Sequence, residues 1–147
     1  MQTAIQFTNH SKTLLFYHIC FATKGREQLF LNPNTRTFFN GVFRTFFEEK
    51  QKELKWFELI SFSLEIDHLH FFVQLSPSQS ISHFVNIIKS NLALEYNNKC
   101  YIFSRKKLEH VWQTGYYCAS VGRSGSNLVK KYIENQSVER FITCFSN

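Results

Sequence analysis

Two histidines separated by one apolar residue, in the stretch Asp67-His68-Leu69-His70, are the side chains best suited to chemistry. An apolar run follows them, so the stretch is predicted to be a β-strand, whose alternate side chains point to the same face. His68 and His70 would then share a face, with Cα atoms roughly 6.5–7 Å apart. Two imidazoles at that separation can bind one divalent cation if a third ligand arrives from elsewhere. A His-x-His pair also occurs in strands that bind no metal, so the tetrad alone leaves both interpretations open.

A second candidate is Tyr132, followed four residues later by Gln136. Both lie in a predicted helix over about 126–141, where Leu128, Tyr132 and Gln136 share one face. Tyr132 could simply belong to an amphipathic stripe, but an apolar stripe seldom continues with an amide. A tyrosine hydroxyl has a pKa near 10 and is a poor nucleophile until its proton is removed. Because Tyr132 and Gln136 share a helix, they would reach any other site together.

The elements that position these residues follow from hydrophobic periodicity. Strands are predicted at 14–23, 56–65, 68–75 and 115–121. One helix is predicted from a cap at Asn34 or Thr35 to about Leu54, and another from 76–78 to about Asn97. This order is β-α-β-β-α-β, the ferredoxin-like split βαβ arrangement. We therefore predict an α+β fold with an antiparallel sheet, both helices on one face, and the two histidines on the open opposite face.

Length and composition favour one domain over residues 1–147, with a core at about 14–121 and a Gly122–Gly125 hinge before the tyrosine helix. Residues 1–12 are polar and are predicted to be loosely held. No apolar run approaches the roughly 18 residues of a membrane span, and no signal peptide is visible. The four cysteines form no C-x-x-C pair, which indicates reduced thiols in the cytoplasm, with Cys20 and Cys118 buried.

The net charge favours a polyanionic partner. With 17 Lys and Arg against 11 Asp and Glu, the chain carries +6 when its histidines are neutral. Most of the 17 phenylalanines are expected in the core. The candidate nucleic-acid contacts are Lys24, Arg26, Lys89, Arg105, Lys106, Lys107, Arg123, Lys130 and Lys131.

Several short motifs in a fixed order carry a resemblance to a known family. They are Tyr17-His18, Phe21-x-Thr23-Lys24-x-Arg26, Asp67-His68-Leu69-His70-Phe71, Trp112-x-x-Gly115-Tyr116, Ser120-Val121-Gly122 and Lys131-Tyr132-Ile133-x-x-Gln136. Over roughly residues 14–137 the chain resembles the single-tyrosine HUH transposases of the small IS200/IS605-type insertion sequences of bacteria and archaea. HUH denotes His–hydrophobic–His.

The resemblance implies a fold, an activity and a set of roles. It implies the ferredoxin-like fold, cleavage of single-stranded DNA next to hairpins, and dependence on Mg²⁺ or Mn²⁺. It makes His68, His70 and Gln136 the metal ligands and Tyr132 the nucleophile, which would form a 5′-phosphotyrosine. It also implies a homodimer in which each tyrosine helix docks on the partner's histidines. Asp67 would be either a carboxylate that orients an imidazole or a simple turn residue.

Two other functions fit the same sequence. A domesticated relative could keep the fold and act on host repeats without moving an element. A non-catalytic module could bind RNA or single-stranded DNA through exposed aromatic side chains of such a sheet. The second alternative has no need of Tyr132 with Gln136, and no Lys/Arg-Gly-Phe-x-Phe string is present.

Overall fold

The computed structural model describes residues 6–7 and 12–122. Its elements are β1 (Gln6–Phe7), β2 (Lys12–Thr13), β3 (Phe16–Ala22), α1 (Pro33–Leu54), β4 (Phe57–Leu64), β5 (His68–Leu75), α2 (Ile81–Lys99) and β6 (Tyr117–Val121). The order from β3 to β6 is the predicted β-α-β-β-α-β, so the α+β class is confirmed. The tyrosine helix predicted at about 126–141 lies outside the described residues. β1 and β2 pair with each other, which the prediction of a loosely held 1–12 segment missed.

Four strands form one antiparallel sheet in the order β4-β5-β3-β6. The strand that carries the two histidines is therefore an inner strand, flanked by β4 and β3. In this register His70 lies opposite Cys20 on one side and Ser63 on the other. On β3, Cys20 in turn lies opposite Tyr117 of β6. Directly opposed residues share a face, so these four side chains belong to one surface of the sheet.

Both helices pack on the other surface, as predicted. On α1 the buried residues Phe39, Phe43 and Phe47 recur every four positions, and the ring of Phe47 lies 5.5 Å from those of Phe62 and Phe71. On α2 the ring of Phe84 lies 4.9 Å from that of Phe57. Phenylalanine thus fills the space between helices and sheet with interlocking rings at tilted and edge-to-face angles.

The helix starts differ from the predicted positions for local reasons. Asn32, not Asn34 or Thr35, caps α1: its Oδ1 accepts from the backbone N–H of Asn34 at 2.8 Å. The backbone N–H at the first helical position has no partner within the helix, so Pro33, which lacks an N–H, fits there. The capping residue is then Asn32, directly before Pro33. The second helix begins at Ile81, later than predicted, because residues 76–79 form a separate hydrogen-bonded turn.

The surface opposite the helices carries a smaller apolar cluster of Phe16, Ile60 and Phe72. Ile60 reaches this side because the register of β4 shifts between Leu59 and Ser61.

Cys20 is fully buried, as predicted, whereas Cys118 is only half-buried. Within residues 6–7 and 12–122 no helix is both long and apolar enough to cross a membrane.

Candidate metal centre

His68 and His70 lie side by side on the sheet surface that faces away from the helices. Their ring centroids are 5.6 Å apart and the rings are nearly parallel, at 24°. Strand alternation produces this geometry, so the predicted shared face is confirmed. The expectation of an open face is wrong at these positions, because the two residues are only 2% and 0% exposed. As β5 is an inner strand, side chains of β3 and β4 flank the rings on both sides.

The carboxylate of Asp67 holds the His68 ring. Oδ1 of Asp67 lies 2.9 Å from Nδ1 of His68, and Oδ2 accepts from Nε of Arg26 at 3.1 Å. Burial alone would raise the pKa of Asp67, but its bonds to His68 and Arg26 outweigh that effect and lower it. The carboxylate is therefore ionised at neutral pH and can only accept, so Nδ1 of His68 must be the donor.

The same contact determines which nitrogen of His68 remains available for a ligand. Burial lowers the pKa of His68, against the opposing pull of Asp67, so the neutral imidazole is favoured near pH 7. With its proton on Nδ1, the neutral ring has its lone pair on Nε2. That atom is buried and makes no hydrogen bond to the part of the chain that the structure describes. A metal-ligating histidine has this arrangement, with its other nitrogen donating to a carboxylate.

His70 has a carboxylate of its own, from a residue that the sequence did not indicate. Oε1 of Glu65 lies 3.5 Å from Nε2 of His70 and accepts from the Ser63 hydroxyl at 2.8 Å. Burial would raise the pKa of Glu65, but the His70 ring and the Ser63 hydroxyl together lower it. The available signal was an acidic residue on each side of the short turn before the histidines, since Glu65 and Asp67 flank Ile66.

A third imidazole lies on the same surface. The His18 ring of β3 is 5.9 Å from the His70 ring and 5.9 Å from the Tyr117 ring. Burial, followed by the nearby His70, lowers the pKa of His18 to about 3, so this ring stays neutral over the physiological range. No role was predicted for His18 from the sequence, because strand pairing rather than spacing along the chain brings it here.

The described residues include two side chains that could act as ligands of a divalent metal. Nε2 of His68 and Nδ1 of His70 are buried nitrogens without hydrogen-bond partners among residues 12–122, and such atoms are costly unless something binds them. Within the same range no group of three or more His, Cys, Asp and Glu residues is arranged to hold a metal. A metal bound by these two nitrogens would therefore need a further ligand from elsewhere. Tyr132 and Gln136 both lie outside the described residues.

The basic residues near the histidines gather around one end of the sheet. The turn Lys24–Arg26 follows β3, and Arg105 approaches it with Nη1 4.0 Å from Oε1 of Glu27. Lys24, Lys106 and Lys107 are exposed. Because Arg26 also contacts the residue before His68, this basic end of the sheet adjoins the histidine pair.

The remaining basic candidates differ from this group. Lys89 on α2 directs its ammonium to the carbonyl oxygens of Gln113 and Gly115, at 2.7 and 2.9 Å, and lies over the Phe21 ring. These hydrogen bonds connect the segment 113–115, which precedes β6, to α2. Arg123, Lys130 and Lys131 lie outside the described residues.

Comparisons with known proteins agree with the motif order. The family model described as "Transposase IS200 like" matches residues 11–136. The transposases of insertion sequence IS200 from Salmonella typhimurium and Salmonella typhi are each 27% identical over 131 residues, covering 88% of this chain and 82% of theirs.

Two solved structures have a similar fold. One is a predicted transposase of Deinococcus radiodurans R1, with a TM-score of 0.63, 20% identity, and coverage of 90% of this chain and 98% of that one. The other is a REP-associated tyrosine transposase bound to a REP hairpin, with a TM-score of 0.58, 12% identity, and coverage of 91% and 74%.

Proposed function

The chain belongs to the IS200-like transposase family, and on that premise we propose that it cleaves and rejoins single-stranded DNA with Tyr132 as nucleophile. The observation that carries the proposal is the buried pair of His68 and His70, with ring nitrogens that lack partners on one surface of the sheet. We propose that these two histidines and Gln136 hold one Mg²⁺ or Mn²⁺ ion. Two imidazoles and one amide form a weak, exchangeable site, which suits these cations better than tightly held Zn²⁺.

The bound ion would supply Lewis-acid polarisation of the scissile phosphate. The Tyr132 oxygen forms a bond to phosphorus while the bond from phosphorus to the 3′ oxygen breaks. The hydroxyl proton leaves the tyrosine, and the departing DNA end takes a proton to become a 3′-OH. The product is a 5′-phosphotyrosine and a free 3′-OH. Since one phosphodiester replaces another, a second 3′-OH can reverse the step and join strands without ATP.

The residues around His68 and His70 keep the two rings ready for this role. Asp67 fixes the Nδ1 proton of His68, and the lowered pKa of His68 favours the neutral form that a ligand requires. The polar lining of this surface also favours an enzyme over a module that stacks bases on exposed aromatic rings. The side chains of Ser61, Ser63, His18 and Gln74 are buried there.

We further propose that the substrate carries hairpin ends, since one similar structure is bound to a hairpin. Lys24 and the 104–107 loop would contact its phosphates, because both lie at the histidine end of the sheet. The protein would act as a homodimer that exchanges its tyrosine helices. A domesticated relative acting on host repeats would have the same site, so imperfect palindromes flanking the gene would favour the transposase.

A labelled-strand assay tests the nucleophile. Incubation of the protein with labelled single-stranded hairpin DNA and Mg²⁺, followed by a denaturing gel, should show a covalent adduct. Tyr132→Phe should bind the hairpin but form no adduct, because it lacks only the hydroxyl. A normal adduct from this variant would contradict the assignment and direct attention to Tyr116 or Tyr117.

Mixing two inactive variants tests the exchanged dimer. Tyr132→Phe and His68→Ala should each be inactive alone. In a co-purified heterodimer with exchanged helices, one site carries both lesions and the other carries neither, so part of the cleavage should return. Complete inactivity of a verified heterodimer would mean that each tyrosine serves its own histidines.

A further inference from the structure

Arg26 lies at the end of a short chain of contacts that leads to His68. Its Nε donates to Oδ2 of Asp67 at 3.1 Å, and Oδ1 of the same carboxylate lies 2.9 Å from Nδ1 of His68. The carboxylate is thus held on both oxygens at once. This use of Arg26 differs from the DNA contact that the basic sequence around it predicts.

The backbone at Arg26 is shaped to make this contact. Arg26 has a φ of 54° and Gly25 a φ of 62°, so two consecutive residues are in the left-handed region, which side chains other than glycine seldom adopt. Such a conformation persists where the surroundings fix it. Here it turns the chain back at the end of β3 and brings the guanidinium over Asp67.

Further hydrogen bonds tie the same turn to Asp67. The backbone N–H of Thr23 donates to the Asp67 carbonyl oxygen at 2.9 Å, and the Thr23 hydroxyl oxygen lies 3.1 Å from the same atom. The single hydroxyl proton of Thr23 is best placed to bond the Glu27 carbonyl oxygen, which lies closer at 2.7 Å, and this closes the turn around Arg26. Thr23 therefore holds the backbone of Asp67, and Arg26 holds its carboxylate. Side chain and main chain are fixed independently.

We propose that Arg26 is a positioning residue for the metal ligand His68. By holding Asp67, it keeps the Nδ1 proton and the ring plane of His68 fixed and leaves the Nε2 lone pair for the metal. This inference rests on the proposed metal site. Arg26 itself touches neither metal nor substrate in this role. Its planar guanidinium matters more than its charge, since an ammonium cannot reproduce a donor fixed in the same plane.

The test compares three full-length variants without DNA. Arg26→Gln and Arg26→Lys both remove the guanidinium, the first together with its charge and the second with the charge kept, and Lys24→Gln removes a charge from the same turn at an exposed position. Mn²⁺ binding is measured by calorimetry. Loss of a residue that supports a metal ligand through hydrogen bonds typically weakens metal binding by about 10–100-fold. We expect a loss of Mn²⁺ affinity near the lower end of that range for the two Arg26 variants and no change for Lys24→Gln. Full affinity in Arg26→Lys, or in Arg26→Gln, would overturn the proposal.

A second readout is independent of the metal. The ¹⁵N chemical shifts of the His68 ring report which nitrogen carries the proton. We expect a proton on Nδ1 in the wild type and in Lys24→Gln, and a mixture of tautomers in the Arg26 variants. Asp67→Asn interrupts the contacts from the other side while leaving the carbonyl that Thr23 binds, and it should shift the same signals. An unchanged His68 spectrum in all of these variants would overturn the proposal.

The two readouts separate this inference from the proposed function. If the wild type binds no Mn²⁺, the metal site is wrong, and the ¹⁵N shifts still decide whether Arg26 sets the His68 tautomer. If Arg26→Gln and Lys24→Gln weaken hairpin binding equally while Mn²⁺ affinity and tautomer stay unchanged, Arg26 is a phosphate contact and the positioning role is wrong.

Discussion

His70 and Phe71 are neighbours in β5 and both are fully buried, yet they lie on opposite surfaces of the sheet with very different surroundings. Phe71 packs against rings from α1, α2 and β3. The ring of His70 lies among other polar side chains, and its Nδ1 makes no hydrogen bond within the described part of the chain. The two side chains are therefore equally buried, but only His70 carries polar atoms that lack hydrogen-bond partners among the described residues. Unpaired buried polar atoms, rather than burial, distinguish a functional site from a hydrophobic core.

The largest expected effect is on the free energy of unfolding, when truncation of Phe71 is compared with truncation of His70. Phe71→Ala should lower the free energy of unfolding by about 3–5 kcal/mol, because it leaves a cavity among closely packed rings. His70→Ala should cost much less, because it also removes buried nitrogens that are poorly paired. Denaturant unfolding of both variants measures the difference. Equal losses would mean that the histidine surface is a second structural core.

The next effect is on activity. His68→Ala and His70→Ala should each reduce metal-dependent cleavage by more than about 100-fold. This is a larger loss than is typical when a residue that only hydrogen-bonds to a metal ligand is removed. Both should also weaken Mn²⁺ binding. Phe71→Leu is the matched control from the other surface and should cleave normally despite a modest loss of stability. Full cleavage by either alanine variant would remove that histidine from the metal site.

The third effect is a dependence of stability on pH. Burial lowers the pKa of His18 from 6.5 to about 3, so below pH 6.5 the unfolded chain binds a proton that the folded chain refuses. Stability should therefore be complete above pH 6.5 and fall by about 1.4 kcal/mol per pH unit towards pH 3. His18→Gln should lack this contribution, while Asp67 and Glu65 titrate in both proteins and cancel. Parallel pH curves for the two proteins would contradict the buried, neutral His18.

The smallest effect concerns Gln74, which shares the histidine surface. Its amide is fully buried, and neither its oxygen nor its nitrogen is hydrogen-bonded to the described residues. Gln74→Leu should raise the free energy of unfolding by about 1 kcal/mol and leave cleavage unchanged, because an unpaired polar group is replaced by an apolar one of similar size. A clear loss of cleavage would extend the functional surface to this end of β5.

The sequence was sufficient where short-range periodicity decides the structure. The four-residue recurrence of Phe39, Phe43 and Phe47 predicted α1, and strict alternation placed His68 and His70 on one face. Glu65 and His18 were not predicted as parts of the site. Their approach to His70 depends on the conformation of a turn and on the register between β3 and β5, neither of which is a property of local spacing.

The burial of the histidines could not be predicted for a related reason. Exposure depends in part on which strands flank a side chain, and local spacing does not show whether a strand lies at the edge of a sheet or in its middle. The start of α1 was missed by two residues because Asn32, Asn34 and Thr35 are all good capping residues, and only the position of Pro33 separates them.

The strand order also has a consequence for how the protein is made. Phe16 at the start of β3 pairs with Val121 at the end of β6, so these partners are separated by most of the chain. During synthesis β3 can pair with β5 well before β6 exists, and one of its edges stays unpaired until then. Since such long-range pairing is slow, the nascent chain exposes that edge for a comparatively long time.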